Sequence, residues 1–74
     1  MWTEGSLRVR NSTFHYWVKY YEEPSEYGIN GGKTSKLMLK RSGEIVYNYD
    51  RGLDVKAKDE DTETALAILL KEYN

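Results

Sequence analysis

The 74-residue chain contains no cysteine, a single proline and a single histidine. The absence of cysteine excludes disulfides and thiolate metal sites. The longest unbroken apolar run is the six-residue segment 65–70, far short of the roughly 20 residues that a membrane-spanning helix needs. The N-terminal residues show no basic segment followed by an apolar stretch, which would mark a signal peptide. We therefore expect a cytoplasmic protein with no membrane partner.

Aromatic side chains are abundant instead. They make up 14% of the chain, and seven residues are tyrosine. A chain of this length buries only roughly 60–65% of the surface of its unfolded state, so these large side chains must supply the core. We expect one small domain that covers residues 1–74.

The net charge of −1 conceals two segments of opposite sign. Residues 1–58 carry ten Lys and Arg against seven Asp and Glu, or +3, whereas residues 59–74 carry one against five, or −4. Over most of the first segment apolar and polar residues alternate, which predicts four strands, at about 6–10, 13–22, 34–41 and 44–50. Ser42-Gly43 indicates a tight hairpin turn, and the segment 24–32, rich in glycine, indicates a loop.

The acidic segment has the period of a helix. Leu66, Leu69, Leu70 and Tyr73 fall on one helical face, and Asp59 is suited to cap a helix over residues 60–73. The order of elements predicts an α+β fold, in which a four-stranded antiparallel β-meander packs against one C-terminal helix.

Several stretches resemble a group of short proteins of unknown function from Gram-positive bacteria and their phages. The stretches are Trp2-x-x-Gly5, Phe14, the glycine loop within residues 27–37, and Asn48-Tyr49-Asp50-Arg51-Gly52-Leu53-Asp54. Leu53 departs from the pattern, since that group carries tryptophan there. The resemblance implies a bacterial or phage origin and a single compact domain, and it implies no activity.

The glycine loop, Gly28-Ile29-Asn30-Gly31-Gly32-Lys33-Thr34, has some features of a phosphate-binding P-loop. A P-loop needs four residues between its first glycine and Gly-Lys-Thr, but three are present and Tyr27 occupies the position of that glycine. A P-loop also opens onto a helix, whereas a predicted strand follows here. We favour a hairpin loop whose glycines adopt positive φ angles, and we expect no cofactor.

Candidate catalytic groups are few. Asp50 and Asp54 could perform acid–base chemistry if a cleft raised one pKa, but we favour a turn at the end of a strand. In that turn Asp50 would bond local backbone amides and Arg51 would pair with a carboxylate. His15 has no His or Cys co-ligand for a metal. It is also the only base that could activate a serine or threonine nucleophile, and it lies in an aromatic strand. We expect no enzyme activity and no metal site.

Alternation assigns the strand residues to two faces of the sheet. If Leu7, Val9, Phe14, Tyr16, Val18, Leu37 and Leu39 face the helix, the opposite face combines cations with aromatic rings. The candidate interaction surface on that face comprises Arg8, Arg10, Trp17, Lys19, Tyr21, Lys36, Met38 and Lys40. A second candidate patch comprises Gly28, Asn30, Gly31, Gly32, Asp50 and Arg51.

Two functions fit such a surface. The favoured interpretation is a non-catalytic accessory protein, bacterial or from a phage, that acts through protein–protein contacts. The alternative is a small nucleic-acid-binding regulator, since cations contact phosphates and aromatic rings stack on bases. The acidic pI of 5.8 disfavours nonspecific binding of polyanions.

The helix leaves the oligomeric state open. Viewed down the helix axis, its apolar residues span about 200° of the circumference, which is more than one sheet face requires. In order around the helix they are Ile68, Ala65, Leu69, Tyr73, Leu66 and Leu70. Either the sheet curves strongly around the helix, or one edge of this arc contacts a second copy in a homodimer.

Overall fold

Five β-strands followed by one α-helix make up the chain in the computed structural model, which describes all residues 1–74. The strands are β1 (Trp2–Val9), β2 (Ser12–Tyr20), β3 (Thr34–Arg41), β4 (Glu44–Asp50) and β5 (Leu53–Val55), and the helix is α1 (Glu60–Tyr73). A 3-10 turn, Ile29–Gly31, lies in the loop between β2 and β3. The one α-helix, with 14 residues, does not meet the length and hydropathy that a membrane-spanning helix requires.

The strands form one antiparallel sheet in the order β1-β2-β3-β4-β5. This confirms the α+β class, the meander and the C-terminal helix, and β3, β4 and α1 have the predicted bounds. The prediction of four strands is wrong, because β5 pairs with β4 through Asn48↔Val55 and Tyr49↔Leu53. A strand of three residues is too short to show the alternation on which the prediction relied.

The outer bounds of the first hairpin also differ from the prediction. β1 begins at Trp2 rather than near residue 6, and β2 ends at Tyr20 rather than at residue 22. The turn between β3 and β4 is as predicted, with Ser42 and Gly43 at φ 52° and 80°. Positive φ at both central residues is what a type I′ hairpin turn requires.

The core lies between α1 and one face of the sheet. Phe14, Val18, Leu37 and Leu39 are at most 1% exposed, and they form one cluster with Leu69 of the helix. Leu7, Val9 and Tyr16, which the alternation also placed there, belong to the same cluster or pack against it. The predicted division of the strands into a covered and an uncovered face is therefore confirmed.

Helix α1 is fixed at its start by Asp59. Its side chain accepts a hydrogen bond from the Thr62 backbone N–H at 2.8 Å, which is the N-cap interaction that the sequence predicts. Arg41, the last residue of β3, donates two hydrogen bonds to the same carboxylate. On the solvent side of the helix Ile68 remains 46% exposed, so the apolar arc is wider than the covered sheet face.

Candidate interaction surface

The face of the sheet opposite α1 is uncovered, and we call it the outer face. Its residues follow from the strand registers and alternate with the buried ones. They are Trp2, Glu4, Ser6 and Arg8 of β1, Thr13, His15, Trp17 and Lys19 of β2, Lys36, Met38 and Lys40 of β3, and Ile45, Asn48 and Asp50 of β4.

Trp17 lies on β2, between the edge strand β1 and the central strand β3 of the sheet. Across the sheet it is opposite Glu4 on one side and Met38 on the other. Its ring stacks on His15 with 4.3 Å between the ring centroids, and the Lys40 ammonium lies 5.7 Å from its centroid. The ring is therefore held between neighbours on its own strand and on β3, while one part of it stays open to solvent.

Two shallow depressions flank Trp17. One, of about 210 Å³, is lined by Trp2, Trp17 and Met38 together with Asn48. The other, of about 440 Å³, lies toward the β3–β4 turn and is lined by His15, Trp17 and Lys40 among others. Because the indole forms a wall of both, it is the principal feature of this surface.

Charges of both signs occur on the outer face. Lys36 Nζ lies 3.5 Å from Asp50 Oδ1, and His15 Nε2 lies 3.4 Å from Glu4 Oε2. Lys19 instead lies over the ring of Tyr21, which follows β2, at 5.8 Å from its centroid. The face is therefore a mixture of rings, ion pairs and cations rather than a uniformly basic surface.

Arg10 does not belong to this surface, and its predicted placement there is wrong. β1 ends at Val9, and Arg10 occupies the following turn with a positive φ of 54°. Its guanidinium contacts the start of α1, at 2.5 Å from Asp61 Oδ1 and 3.1 Å from Glu60 Oε1. The ion pairs with the acidic first turn of α1 thus hold the Arg10 guanidinium on the covered side of the sheet.

The glycine loop is a folded structural element. The N–H groups of Gly28, Gly31 and Gly32 donate to backbone carbonyls within the loop. Asn74 braces it, because its side chain donates to the Ile29 carbonyl and accepts from the Thr34 N–H, both at 3.0 Å. Gly28 is buried, whereas Asn30 and Gly31 face solvent.

The stretch that begins at Asp50 forms the turn between β4 and β5. Arg51 has a positive φ of 59°, and its N–H donates to the Ser35 carbonyl at 3.1 Å. The Asp50 carboxylate contacts Lys36 rather than the local amides that we predicted, and the predicted pairing of Arg51 with a carboxylate is absent. Asp54 accepts a hydrogen bond from the Asn48 amide at 3.2 Å.

The groups with shifted pKa values lie on the covered side of the sheet. Hydrogen bonds from Arg41 and from the Thr62 N–H hold the pKa of the Asp59 carboxyl well below its usual range. Burial raises the pKa of Tyr47 and of Tyr73. No group of three or more His, Asp or Glu side chains is placed to hold a metal ion.

Trp2, Glu4 and Asn48 are among the residues of the outer face that were missed in the sequence. Trp2 is 57% exposed and lines the depression beside Trp17, and Glu4 and Asn48 lie in the same cross-strand row as Trp17. The alternation of Trp2, Glu4, Ser6 and Arg8 is the signal that would have revealed the first two.

Comparison with known families gives one match. Residues 1–74 match a family described as a domain of unknown function, DUF7678. No curated protein and no solved structure matches the chain.

Proposed function

The chain belongs to the DUF7678 family, and we propose that it is a small non-catalytic accessory protein that acts through protein–protein contacts made by its outer face. A bacterial or phage origin and action in the cytoplasm are part of this proposal. The origin is supported by the resemblance of the glycine loop and of the Asn48–Asp54 stretch to short bacterial and phage proteins.

The observation that carries the proposal is the position of Trp17. Binding energy at protein interfaces concentrates in a few central residues, with Trp, Tyr and Arg enriched among them, surrounded by a polar rim. On the outer face the indole lies on β2 between two neighbouring strands, and charged groups such as Lys40 and Glu4 surround it. A half-buried ring held by its neighbours loses little side-chain entropy when a partner covers it.

The same geometry indicates the chemistry of the partner. The depression lined by Trp2, Trp17 and Met38 has a volume of about 210 Å³, enough for one apolar side chain. Lys40, which lines the second depression, and Lys19, opposite Trp2 on β2, make no ion pair within the chain. We therefore expect a protein segment that presents an apolar anchor together with carboxylates.

Nucleic-acid binding is the second candidate, and the lysines above aromatic rings favour it. The ammonium of Lys40 over Trp17 and that of Lys19 over Tyr21 could contact phosphates while the rings stack on bases. The carboxylates of Glu4 and Asp50 on the same face would repel phosphates, and Asp50 already pairs with Lys36. Protein contacts accommodate this mixed charge better.

The absence of catalysis is proposed from the placement of the reactive side chains. Asp50 contacts Lys36, Asp54 contacts Asn48, and His15 contacts Glu4. The groups that acid–base chemistry would use are thus spread over the open sheet instead of converging on one substrate-sized cavity.

Affinity enrichment with matched variants tests the proposal. The tagged chain, Trp17→Ala and Tyr27→Ala are used to enrich proteins from cells that carry the gene, after circular dichroism has verified that each variant folds. Tyr27 is also an exposed aromatic residue, but it lies beside the glycine loop. We expect Trp17→Ala to lower recovery of a specific protein by about tenfold or more, and Tyr27→Ala to retain it.

The opposite pattern, with loss for Tyr27→Ala alone, would assign the interaction to the glycine-loop patch and contradict the proposal. The nucleic-acid alternative is tested with the fluorescence of the two tryptophans during titration with a single-stranded oligonucleotide. Binding at low salt that weakens steeply toward about 150 mM salt would favour the alternative, whereas no binding at low salt excludes it.

A further inference from the structure

The free edge of β1 exposes a defined set of backbone groups. The Tyr20 N–H donates to the Met1 carbonyl, and the Met1 nitrogen donates to the Tyr20 carbonyl. The register of β1 and β2 continues from this pair without a bulge, so every second residue from Met1 bonds to β2. The N–H and C=O groups of the residues between them, Glu4, Ser6 and Arg8 among others, therefore point away from the sheet.

This edge lacks three of the features that protect sheet edges against pairing, although it carries the charged residues Glu4 and Arg8. β1 has eight residues, no proline and no bulge, whereas the opposite edge strand, β5, has three residues and pairs across an irregular register. Short strands, bulges and prolines are means by which proteins block edge-to-edge association, and charges on the edge do so unless a partner neutralises them. The chain thus protects one edge of its sheet and leaves the other open.

The side chains along the open edge are self-complementary. Glu4 lies two residues before Ser6 and Arg8 lies two residues after it, all on the outer face. A second β1, placed antiparallel with the two Ser6 residues opposite each other, puts Glu4 of each copy opposite Arg8 of the other. The same register pairs the outward-pointing backbone groups of Glu4, Ser6 and Arg8 between the copies.

Arg8 is available for this contact, whereas Glu4, whose Oε2 lies 3.4 Å from His15 Nε2, would exchange that contact for Arg8 of the second copy. Arg8 donates through Nε to the Arg10 carbonyl at 3.1 Å, which leaves its two terminal nitrogens free for a carboxylate.

We propose that two copies of this chain associate through β1 in the antiparallel register centred on Ser6, so that their sheets join into one of ten strands. A two-fold axis perpendicular to the sheet at Ser6 leaves both outer faces on one side and both helices on the other. This inference does not depend on the proposed function, because it concerns the sheet edge and not the face.

Sedimentation equilibrium of the full chain, with charge-swap variants, tests the pairing and its register together. We expect the wild-type chain to dimerise in the micromolar range. Glu4→Lys places two cations opposite each other at both symmetric positions, and Arg8→Glu places two anions there. Each should raise the dimer dissociation constant by about tenfold or more, and the double variant Glu4→Lys/Arg8→Glu should return it to near the wild-type value.

A wild-type chain that is monomeric at high micromolar concentration would overturn the proposal. Single variants that dimerise as tightly as the wild type, or a double variant that is no tighter than the singles, would overturn the register. Ser6→Pro adds a backbone test, since it removes the N–H at the two-fold axis. It should abolish the dimer while Ser6→Thr retains it, and the charge-swap set decides the matter if Ser6→Pro does not fold.

Discussion

Arg41 and Asp59 join the sheet to the helix through a two-point ion pair. Arg41 Nη1 lies 3.1 Å from Asp59 Oδ1, and Nη2 lies 2.9 Å from Oδ2. The same carboxylate caps α1 by accepting from the Thr62 N–H, and the Arg41 guanidinium lies 5.3 Å from the centroid of the buried Phe14 ring. One carboxylate thus fixes both the start of the helix and its position over the core.

This pair predicts a defined loss of stability in acid. The pKa of Asp59 is lowered in the folded state, mainly by the hydrogen bond with Arg41. The ionised Asp59 therefore stabilises the folded state at any pH above the pKa that Asp59 has in the unfolded chain. This stabilisation is lost as the pH falls from that pKa toward the lower pKa of the folded state. We expect the urea midpoint of the wild type to fall between about pH 5 and pH 2.5, and that of Asp59→Asn to start lower and fall less. Parallel curves for the two proteins would contradict this account.

Gly28 and Gly52 differ in the space available for a side chain, so that substitution at Gly52 serves as a control for substitution at Gly28. A Cβ atom at Gly28 would overlap the Gly32 carbonyl oxygen and approach the Ser25 carbonyl oxygen, whereas one at Gly52 would meet nothing within 4 Å. We expect Gly28→Ala to lower the free energy of unfolding by about 2 kcal/mol or more, and Gly52→Ala to change it by no more than about 0.5 kcal/mol. Chemical denaturation measures both, and equal effects would show that the loop does not hold Gly28 tightly.

The Asn74 side chain braces the glycine loop through two hydrogen bonds. We expect Asn74→Ala to lower the free energy of unfolding by about 1–2 kcal/mol and to speed hydrogen exchange at the Thr34 N–H, which loses its acceptor. Asn74→Asp retains that acceptor but loses the donor to the Ile29 carbonyl. It should protect the Thr34 N–H better than Asn74→Ala does, and equal exchange in the two variants would rule out this role.

The two faces of β2 should respond differently to truncation. Phe14 is fully buried under α1, and Phe14→Ala should lower the free energy of unfolding by about 3–5 kcal/mol, enough to unfold a chain of this size. Trp17 is half-buried on the outer face, and Trp17→Ala should cost clearly less and leave a cooperative unfolding transition. If the two variants lose the same free energy of unfolding, the Trp17 side chain is needed for stability, which would contradict its assignment to an interface.

Much of the fold could be predicted from local patterns. The N-cap at Asp59 and the acidic first turn specified α1, and period-two alternation specified β3 and β4 with their observed bounds. The outer-face position of Trp17 followed from the same parity. These features depend on interactions between residues close in sequence, which propensity and periodicity describe directly.

The missed features depend on contacts between distant residues. Gly5 weakens the strand pattern of β1, but Tyr16 lies opposite it on β2, and its ring comes so close that a Cβ at Gly5 would be 2.7 Å from the hydroxyl. The aromatic ring thus covers the glycine and lets the strand extend to Trp2. Arg10 likewise left the outer face because its acidic partners, Glu60 and Asp61, lie about 50 residues further along the chain.

Photo-crosslinking from the outer face tests the central claim most directly. A photoreactive p-benzoylphenylalanine replaces Thr13, an exposed outer-face residue that lines a depression beside Trp17, in one variant and Ala67, on the exposed side of α1, in the other, and both are irradiated in cells that carry the gene. We predict a defined protein adduct from position 13 and none from position 67. The same adducts from both positions, only nucleic-acid adducts, or no adduct from position 13 would contradict the assignment of the outer face as the protein-binding surface.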